Sequence, residues 1–355
     1  MSRIAILGGG SWGTALAIVL SRARRKHDIS LWVHDPALAA TIHSDRENKI
    51  YLPGQRLAPE VRVSHNVEDV LAGATIVVGA MPAAHARAVY KKVAECVGGI
   101  ARGSAASAEI TFVSATKGLE PATHKRISEI MTEVLPPELI SSLAVLSGPS
   151  FAAEAARGEP TAVVLASQSQ TLRVKWKVRR YTPLVEELQE EFAGPNFRVY
   201  TNEDVLGVEL AGAMKNVIAI AAGVCQGLGL GSNPLAALIT RGLTEMSRLA
   251  GALGAQPETL TGLAGLGDLV LTCTGALSRN RQVGIELGKG GALTEILAGT
   301  RMVAEGVGTT AALLALASEA KVELPITQQV SAILHEGKAP REAIRAIMER
   351  PQRPE

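Results

Sequence analysis

Aromatic residues are scarce in this chain, with three Trp, four Tyr and four Phe among 355 residues. Sites for single-stranded nucleic acid stack bases on aromatic rings, so this scarcity argues against that class. Cysteine is also sparse. Cys96, Cys225 and Cys273 are odd in number and widely spaced, and no C-x-x-C occurs. A disulfide framework is therefore not expected, and a reduced, cytoplasmic protein is. Charge of either sign is not in excess: 36 basic against 34 acidic residues leave a net charge of +2. That balance gives no electrostatic reason to expect a nucleic-acid or membrane partner. The histidines (His27, His34, His43, His65, His85, His124 and His335) are scattered without H-x-x-x-H or H-E-x-x-H, so no metal is expected. No G-x-S-x-G nucleophile turn is present either.

Long uninterrupted apolar runs are missing as well. The stretch from Val205 to Leu230 carries Glu209, Lys215 and Asn216. Charge at mid-span makes it a buried helix, and no stable membrane insertion is expected. At the N-terminus, glycines interrupt the apolar stretch, and Arg22, Arg24, Arg25 and Lys26 stand where a cleavage site should lie. A secretory leader is therefore not expected.

What is present is an apolar fraction of 47%, ample for cores built of Ala, Val, Leu and Ile. The length suggests two domains. The first half alternates short apolar strands with helical stretches. Strands are expected at 3–7, 29–34, 75–80, 111–114, 143–147 and 162–166, with helices at 12–21, 83–96 and 124–134 between them. Strands apolar throughout suit a mostly parallel sheet buried on both faces. From Asn202 onward helix signals dominate, at 205–223, 233–251, 257–260, 281–289, 308–320, 326–335 and 340–350. The expected architecture is an α/β Rossmann-type domain over 1–200 followed by an all-α domain over 201–355. The boundary falls after the turn Ala193-Gly194-Pro195-Asn196, with a last strand from Phe197 to Tyr200. One segment, Arg173 to Arg180, alternates basic and apolar residues with period two, which predicts a half-exposed edge strand or hairpin.

The most informative motif opens the chain. The strand Arg3 to Leu7 runs directly into Gly8-Gly9-Gly10-Ser11-Trp12-Gly13 and then into a helix-forming run. This places G-x-G-x-x-G at a strand-to-helix junction. Gly8 suits a tight turn, Gly10 a close approach of pyrophosphate, and Gly13 close helix packing. The first helical amides then face the phosphates. Asp35, ~20 residues beyond Gly13, stands where an acidic residue accepts from the ribose 2′-hydroxyl of NAD. His34 and the basic cluster 22–26 would instead tolerate the 2′-phosphate of NADP.

Further polar groups lie where apolar packing does not explain them. Lys117 follows a strand end, where parallel sheets place their ligands. Ser147-Gly148-Pro149-Ser150 is a second strand-to-helix turn. Lys215 lies mid-helix between apolar runs, and Glu209 is not on its face. A buried lysine without a partner is rare. Burial would lower its pKa toward the range a general base needs; the plainer reading is a lysine that snorkels to water. Gly265-Leu266-Gly267-Asp268 offers a carboxylate beside a close backbone approach, and Ser278-Arg279-Asn280-Arg281 offers donors matched to a phosphate.

Taken in order, these segments resemble the bacterial NAD(P)-dependent glycerol-3-phosphate dehydrogenases over nearly the whole chain. The resemblance rests on GGGSWGTALA from Gly8, NKIYLPG from Asn48, ATKGLE from Ala115, SGPSFA from Ser147, GAMKNVIAIAAG from Gly212, TRGLTEMSRL from Thr240, GLAGLGDLVLTCT from Gly262, SRNR from Ser278 and VAEG from Val303. It implies a helical domain like that of 6-phosphogluconate dehydrogenase and interconversion of dihydroxyacetone phosphate and glycerol 3-phosphate. It makes Lys215 the proton acceptor. It assigns Lys117, Gly148, Ser150, Lys215, Asp268, Ser278, Arg279 and Asn280 to the substrate. Gly8, Gly10, Ser11, Trp12, Gly13, His34, Tyr51, Lys117, Ala152, Arg279, Val303 and Glu305 are assigned to NAD or NADP. It further implies a role in phospholipid synthesis and admits a homodimer. The stretches around 99–108 and 171–181 depart from the family pattern and read as insertions. A 3-hydroxyacid or 6-phosphogluconate-type dehydrogenase and a non-catalytic dinucleotide sensor are the alternatives at this stage.

Overall fold

The computed structural model describes residues 1–103, 110–137, 143–168, 173–174, 181–182, 184–299 and 303–351. The chain divides into two compact units. The first comprises 1–116 and 126–205, the second 117–125 and 206–355. The sequence reading kept 117–125 with the first half; the structure packs this segment with the helical half, and Leu119 joins that unit's core.

The first unit is built on an eight-stranded sheet. Its strands are β1 (Ser2–Leu7), β2 (His27–Trp32), β3 (Arg62–Ser64), β4 (Ile76–Gly79), β5 (Thr111–Ser114), β6 (Leu143–Ser147), β7 (Thr161–Ala166) and β10 (Phe197–Asn202). The order is β3-β2-β1-β4-β5-β6-β7-β10. The first six are parallel, β7 pairs antiparallel with β6, and β10 runs parallel to β7. Helices α1 (Ser11–Ser21), α2 (Pro36–Asp45), α3 (Val67–Leu71), α4 (Ala83–Gly103), α5 (Ile127–Val134), α6 (Ala152–Arg157) and α7 (Leu184–Phe192) connect these strands. Alternate residues of β1 enter different cores. Ile4 and Ile6 pack with Leu16 and Leu20 of α1, while Ala5 and Leu7 pack with Tyr90 of α4 and Met131 of α5. Both faces are therefore covered, which is why the strands read as unbroken apolar runs.

The described start of the basic segment, Arg173–Val174, pairs outside this sheet. β8 (Arg173–Val174) and β9 (Tyr181–Thr182) form a separate two-stranded antiparallel sheet; 175–180, on which the rest of the expected edge strand or hairpin falls, lie outside the described residues. The expected insertion at 99–108 also lies largely outside them, beyond the end of α4.

The second unit is helical: α8 (Val205–Gly227), α9 (Ser232–Ala252), α10 (Pro257–Thr261), α11 (Asp268–Thr274), α12 (Arg279–Gly288), α13 (Leu293–Ala298), α14 (Glu305–Glu319), α15 (Pro325–His335) and α16 (Pro340–Met348). The long apolar helix α8 is buried through its middle, as its core position requires. Four glycines let α12 lie directly on its backbone. A Cβ on Gly284 would stand 2.0 Å from Ile220 O, and one on Gly223 would stand 2.0 Å from Arg281 O. Gly227 and Gly288 repeat the contact one turn on.

Candidate active site

In the second unit three ionic side chains converge. Asp268 is buried, with 1% of its side chain exposed. Its Oδ1 accepts from Lys215 Nζ at 2.6 Å and its Oδ2 from Lys117 Nζ at 2.7 Å. Lys215 also donates to Thr272 Oγ1 at 2.9 Å, and that hydroxyl donates to Asp268 O at 2.6 Å. The snorkelling reading of Lys215 is therefore replaced by a partner far away in sequence.

Local sequence explains how each group arrives. Lys117 begins the segment that returns to the helical unit. Asp268 follows a single turn of π-helix at 263–267, where Gly267 N donates to Gly262 O. Such turns are rare and frequent at functional sites. A Cβ on Gly265 would stand 2.0 Å from Leu260 O, so only glycine fits this turn. Asp268 then opens α11, where its negative charge suits the helix N-terminus.

The electrostatics follow from burial. Desolvation lowers the pKa of Lys215 to about 8, although Asp268 pulls it upward. For Asp268, burial works toward a higher pKa but the two ammonium groups outweigh it, leaving the carboxyl below its ordinary value. When Lys215 is neutral, Asp268 still pairs with Lys117. When Lys215 is protonated, the triad carries one net positive charge. The carboxylate is compensated in either state, which removes the cost of an isolated buried charge.

A second chain of bonds adjoins the triad. Asn216 Nδ2 donates to Gly212 O at 3.3 Å and to Lys117 O at 3.4 Å. Asn280 Nδ2 donates to Asn216 Oδ1 at 3.0 Å, and Asn280 Oδ1 accepts from Gly306 N at 2.9 Å. Asn280 thus links α12 to α8 and α14. Ser278 caps α12 by accepting from Arg281 N at 3.3 Å, and Arg279 is the helix's first residue. Val303 is exposed and Glu305 opens α14. Thr272 was not singled out from sequence, and Asn216 was noted only as a polar residue in an apolar stretch. The signals were present: Thr272 lies one helical turn beyond Asp268, and Asn216 sits beside Lys215 in an apolar helix.

The remaining expected residues lie in the first unit. Gly8, Gly10, Ser11, Trp12 and Gly13 form the turn between β1 and α1, at the point where the strand order reverses. Gly8 has φ +127°, and a Cβ there would stand 2.7 Å from Ala80 O. A Cβ on Gly13 would stand 1.9 Å from Gly8 O, whereas one on Gly10 would face open space. Gly10 is the N-cap and has no side chain to cap α1. Trp12 Nε1 is buried and meets no hydrogen-bond acceptor among the described residues. An uncapped helix start, an open glycine and an unused buried donor fit a phosphate-bearing dinucleotide. His34 is exposed just past β2, its ring edge-on to Trp32 at 5.7 Å, and Tyr51 is half-buried. Gly148 (φ +122°) and Ser150 form the turn after β6, with Ser150 Oγ donating to Gly148 O at 2.9 Å, and Ala152 begins α6. Asp35 has a structural role beside the one expected of it. Its Oδ1 accepts from Ala37 N at 2.8 Å and Leu38 N at 3.2 Å and so caps α2.

The first unit's strand order, with a glycine turn at its reversal point, is the plan of the dinucleotide-dependent dehydrogenases. Two family models agree in detail: the NAD-dependent glycerol-3-phosphate dehydrogenase N-terminus matches residues 3–173, and the C-terminus of the same enzymes matches residues 204–345. The chain belongs to the NAD-dependent glycerol-3-phosphate dehydrogenase family. A relative from Koribacter versatilis, named glycerol-3-phosphate dehydrogenase [NAD(P)+], is 51% identical, over 99% of this chain and 98% of its own. One of the same name from Citrifermentans bemidjiense is 46% identical, over 98% and 97%. The crystal structure of glycerol-3-phosphate dehydrogenase from Coxiella burnetii superposes with a TM-score of 0.86 at 39% identity, covering 98% of this chain and 99% of that one.

Proposed function

We propose that this protein is an NAD(P)-dependent glycerol-3-phosphate dehydrogenase, interconverting dihydroxyacetone phosphate and sn-glycerol 3-phosphate. Family membership supports the substrate, and the observation that carries the chemistry is Lys215, buried and bonded to a carboxylate it shares with Lys117. The glycine turn of the first unit would hold the dinucleotide through α1 amides, with Trp12 Nε1 as a further donor. When bound, the nicotinamide accepts or returns the hydride of the substrate's C2.

In the oxidative direction neutral Lys215 takes the proton of the C2 hydroxyl. In the reductive direction its ammonium polarises the C2 carbonyl and then gives up the proton. Asp268 orients Lys215 and stabilises the ammonium that forms, while Lys117 keeps that carboxylate paired after Lys215 is neutral. Arg279 offers a planar fork to the substrate phosphate, and the net positive charge of the protonated triad favours an anionic substrate. Binding of that non-reacting phosphate positions C2 for reaction. Ser278 and Asn280 shape the head of α12, and Gly148 and Ser150 serve the substrate through the turn after β6. His34, Tyr51, Ala152, Val303 and Glu305 complete the dinucleotide contacts. We further take the enzyme as a cytoplasmic homodimer supplying phospholipid backbones. The unpaired cysteines suit a reducing compartment, and sedimentation tests the dimer.

The deciding experiment is loss of NADH or NADPH absorbance on adding dihydroxyacetone phosphate to the purified protein. Turnover with both cofactors is expected. No turnover with either would reject the reading, and turnover only with a 3-oxoacid would favour the hydroxyacid alternative.

A further inference from the structure

The first unit contains a buried side chain that no role yet explains. Asn48 has 0% of its surface exposed, although it lies in a loop between α2 and β3. A fully buried amide must find partners or bear a desolvation cost. Asn48 finds them at the glycine turn. Its Nδ2 donates to Gly9 O at 2.9 Å and to Thr14 Oγ1, on the first turn of α1, at 2.9 Å. Its Oδ1 accepts from Tyr51 N at 3.2 Å, and its own carbonyl accepts from Leu52 N at 2.8 Å.

The loop around it is closed on itself. Glu47 pairs with Arg56 in an antiparallel bridge, and Gly54 N donates to Glu47 Oε1 at 2.8 Å. Leu57 N donates to Arg46 O at 2.8 Å, and the Arg46 side chain reaches Ala58 O and Val61 O. Leu52 and Leu57 enter the same core as Leu16 of α1. Asn48 is thus the polar link between a self-closed loop and the turn that faces the dinucleotide. Gly9 is crowded from the other side, since a Cβ there would stand 2.7 Å from Val33. The Val33 side chain crowds Gly9 on one flank, and the Asn48 amide holds its carbonyl on the other.

We infer that Asn48 is a positioning residue for dinucleotide binding, fixing the Gly9 carbonyl and the start of α1 while holding Tyr51 beside them. The inference rests on the dinucleotide reading of the glycine turn. Its physical content is preorganisation: without the two donated bonds the turn samples orientations that must be lost again on binding, so affinity falls. The proton-transfer groups belong to the other unit and are untouched, so turnover at saturating cofactor is preserved.

The test uses the full-length enzyme and two variants, Asn48→Ala and Asn48→Asp. The aspartate keeps the shape and the acceptor for Tyr51 N but loses both donors. Dissociation constants for NADH and NADPH are measured by calorimetry, with kcat at saturating cofactor and melting temperature alongside. Both variants are expected to bind each cofactor about tenfold more weakly or worse, with kcat within about twofold of the parent. Folded variants that bind within about twofold of the parent would overturn the inference, whatever their melting temperature, because a purely structural bond moves stability alone. If Asn48→Ala does not fold, Asn48→Asp and Thr14→Val, which removes only the hydroxyl acceptor, decide on the same readout. A parent enzyme that binds neither cofactor would reject the dinucleotide reading itself, a result distinct from equal binding by parent and variants.

Discussion

Lys215 Nζ donates to Asp268 Oδ1 at 2.6 Å across 53 residues of sequence, with 7% and 1% of their side chains exposed. A pair this dry leaves the lysine poised between its two protonation states, and the first prediction follows from that poise. Lys215→Ala should lower kcat by ~10²-fold or more in both directions, while leaving cofactor affinity near that of the parent. Steady-state kinetics with calorimetric binding checks both parts. Near-parental turnover would remove Lys215 from the mechanism.

The pH profile carries a sign. Burial brings Lys215 down to about 8. Oxidation of glycerol 3-phosphate needs the neutral amine, so kcat/KM in that direction should rise with pH and level off above about 8. Reduction needs the ammonium and should fall through the same range. Asp268→Asn removes the charge that raises the lysine's pKa, so the oxidative limb should move to lower pH. A limb that stays put would mean that another group titrates there.

Glu245 of α9 gives a stability prediction. It is buried and accepts from Ile326 N, Thr327 N and Thr327 Oγ1 at the start of α15. Burial nonetheless pushes its carboxyl up to about 7. A carboxyl raised in the folded state contributes stability that is complete below its unfolded pKa and is lost as pH rises through the folded value. Wild type should therefore lose melting temperature relative to Glu245→Gln, by a few degrees, between about pH 5 and 8. Parallel melting curves across that range would reject the shift.

The glycine contact between α8 and α12 predicts a steric penalty. Gly284→Ala would bring a Cβ to 2.0 Å from Ile220 O. Overpacking of this kind costs about 1–3 kcal/mol. Because α12 carries Asn280, the variant should also lose activity at temperatures where it remains folded. Chemical denaturation and kinetics of the one variant read both effects.

Asp35 predicts a null result, in keeping with the sequence reading that both NAD and NADP are used. Its Oδ1 caps α2. Asp35→Ser keeps a capping oxygen and removes the charge. The ratio of kcat/KM for NADPH over NADH should change by less than about threefold. A large gain for NADPH would show that the carboxylate repels the 2′-phosphate after all.

Sequence by itself determined the alternation of strands and helices in the first half, because period and apolar content are local properties. β5 and β6 fall at 111–114 and 143–147 as read. The glycine turn was legible for the same reason, since strand, glycines and helix start are contiguous. What local pattern misses are elements too short or too polar to show a period, such as β3 and α3, and the turn of π-helix before Asp268. Partnership was decided only by tertiary structure. Lys215 has no partner on its own helix because its carboxylate lies 53 residues on, and the capping bonds of Asp35 depend on backbone geometry. Segment 117–125 was assigned to the wrong half because its contacts, not its neighbours in sequence, place Lys117 against Asp268. A buried charge acquires its pKa from groups brought to it by folding, and no window of sequence contains them.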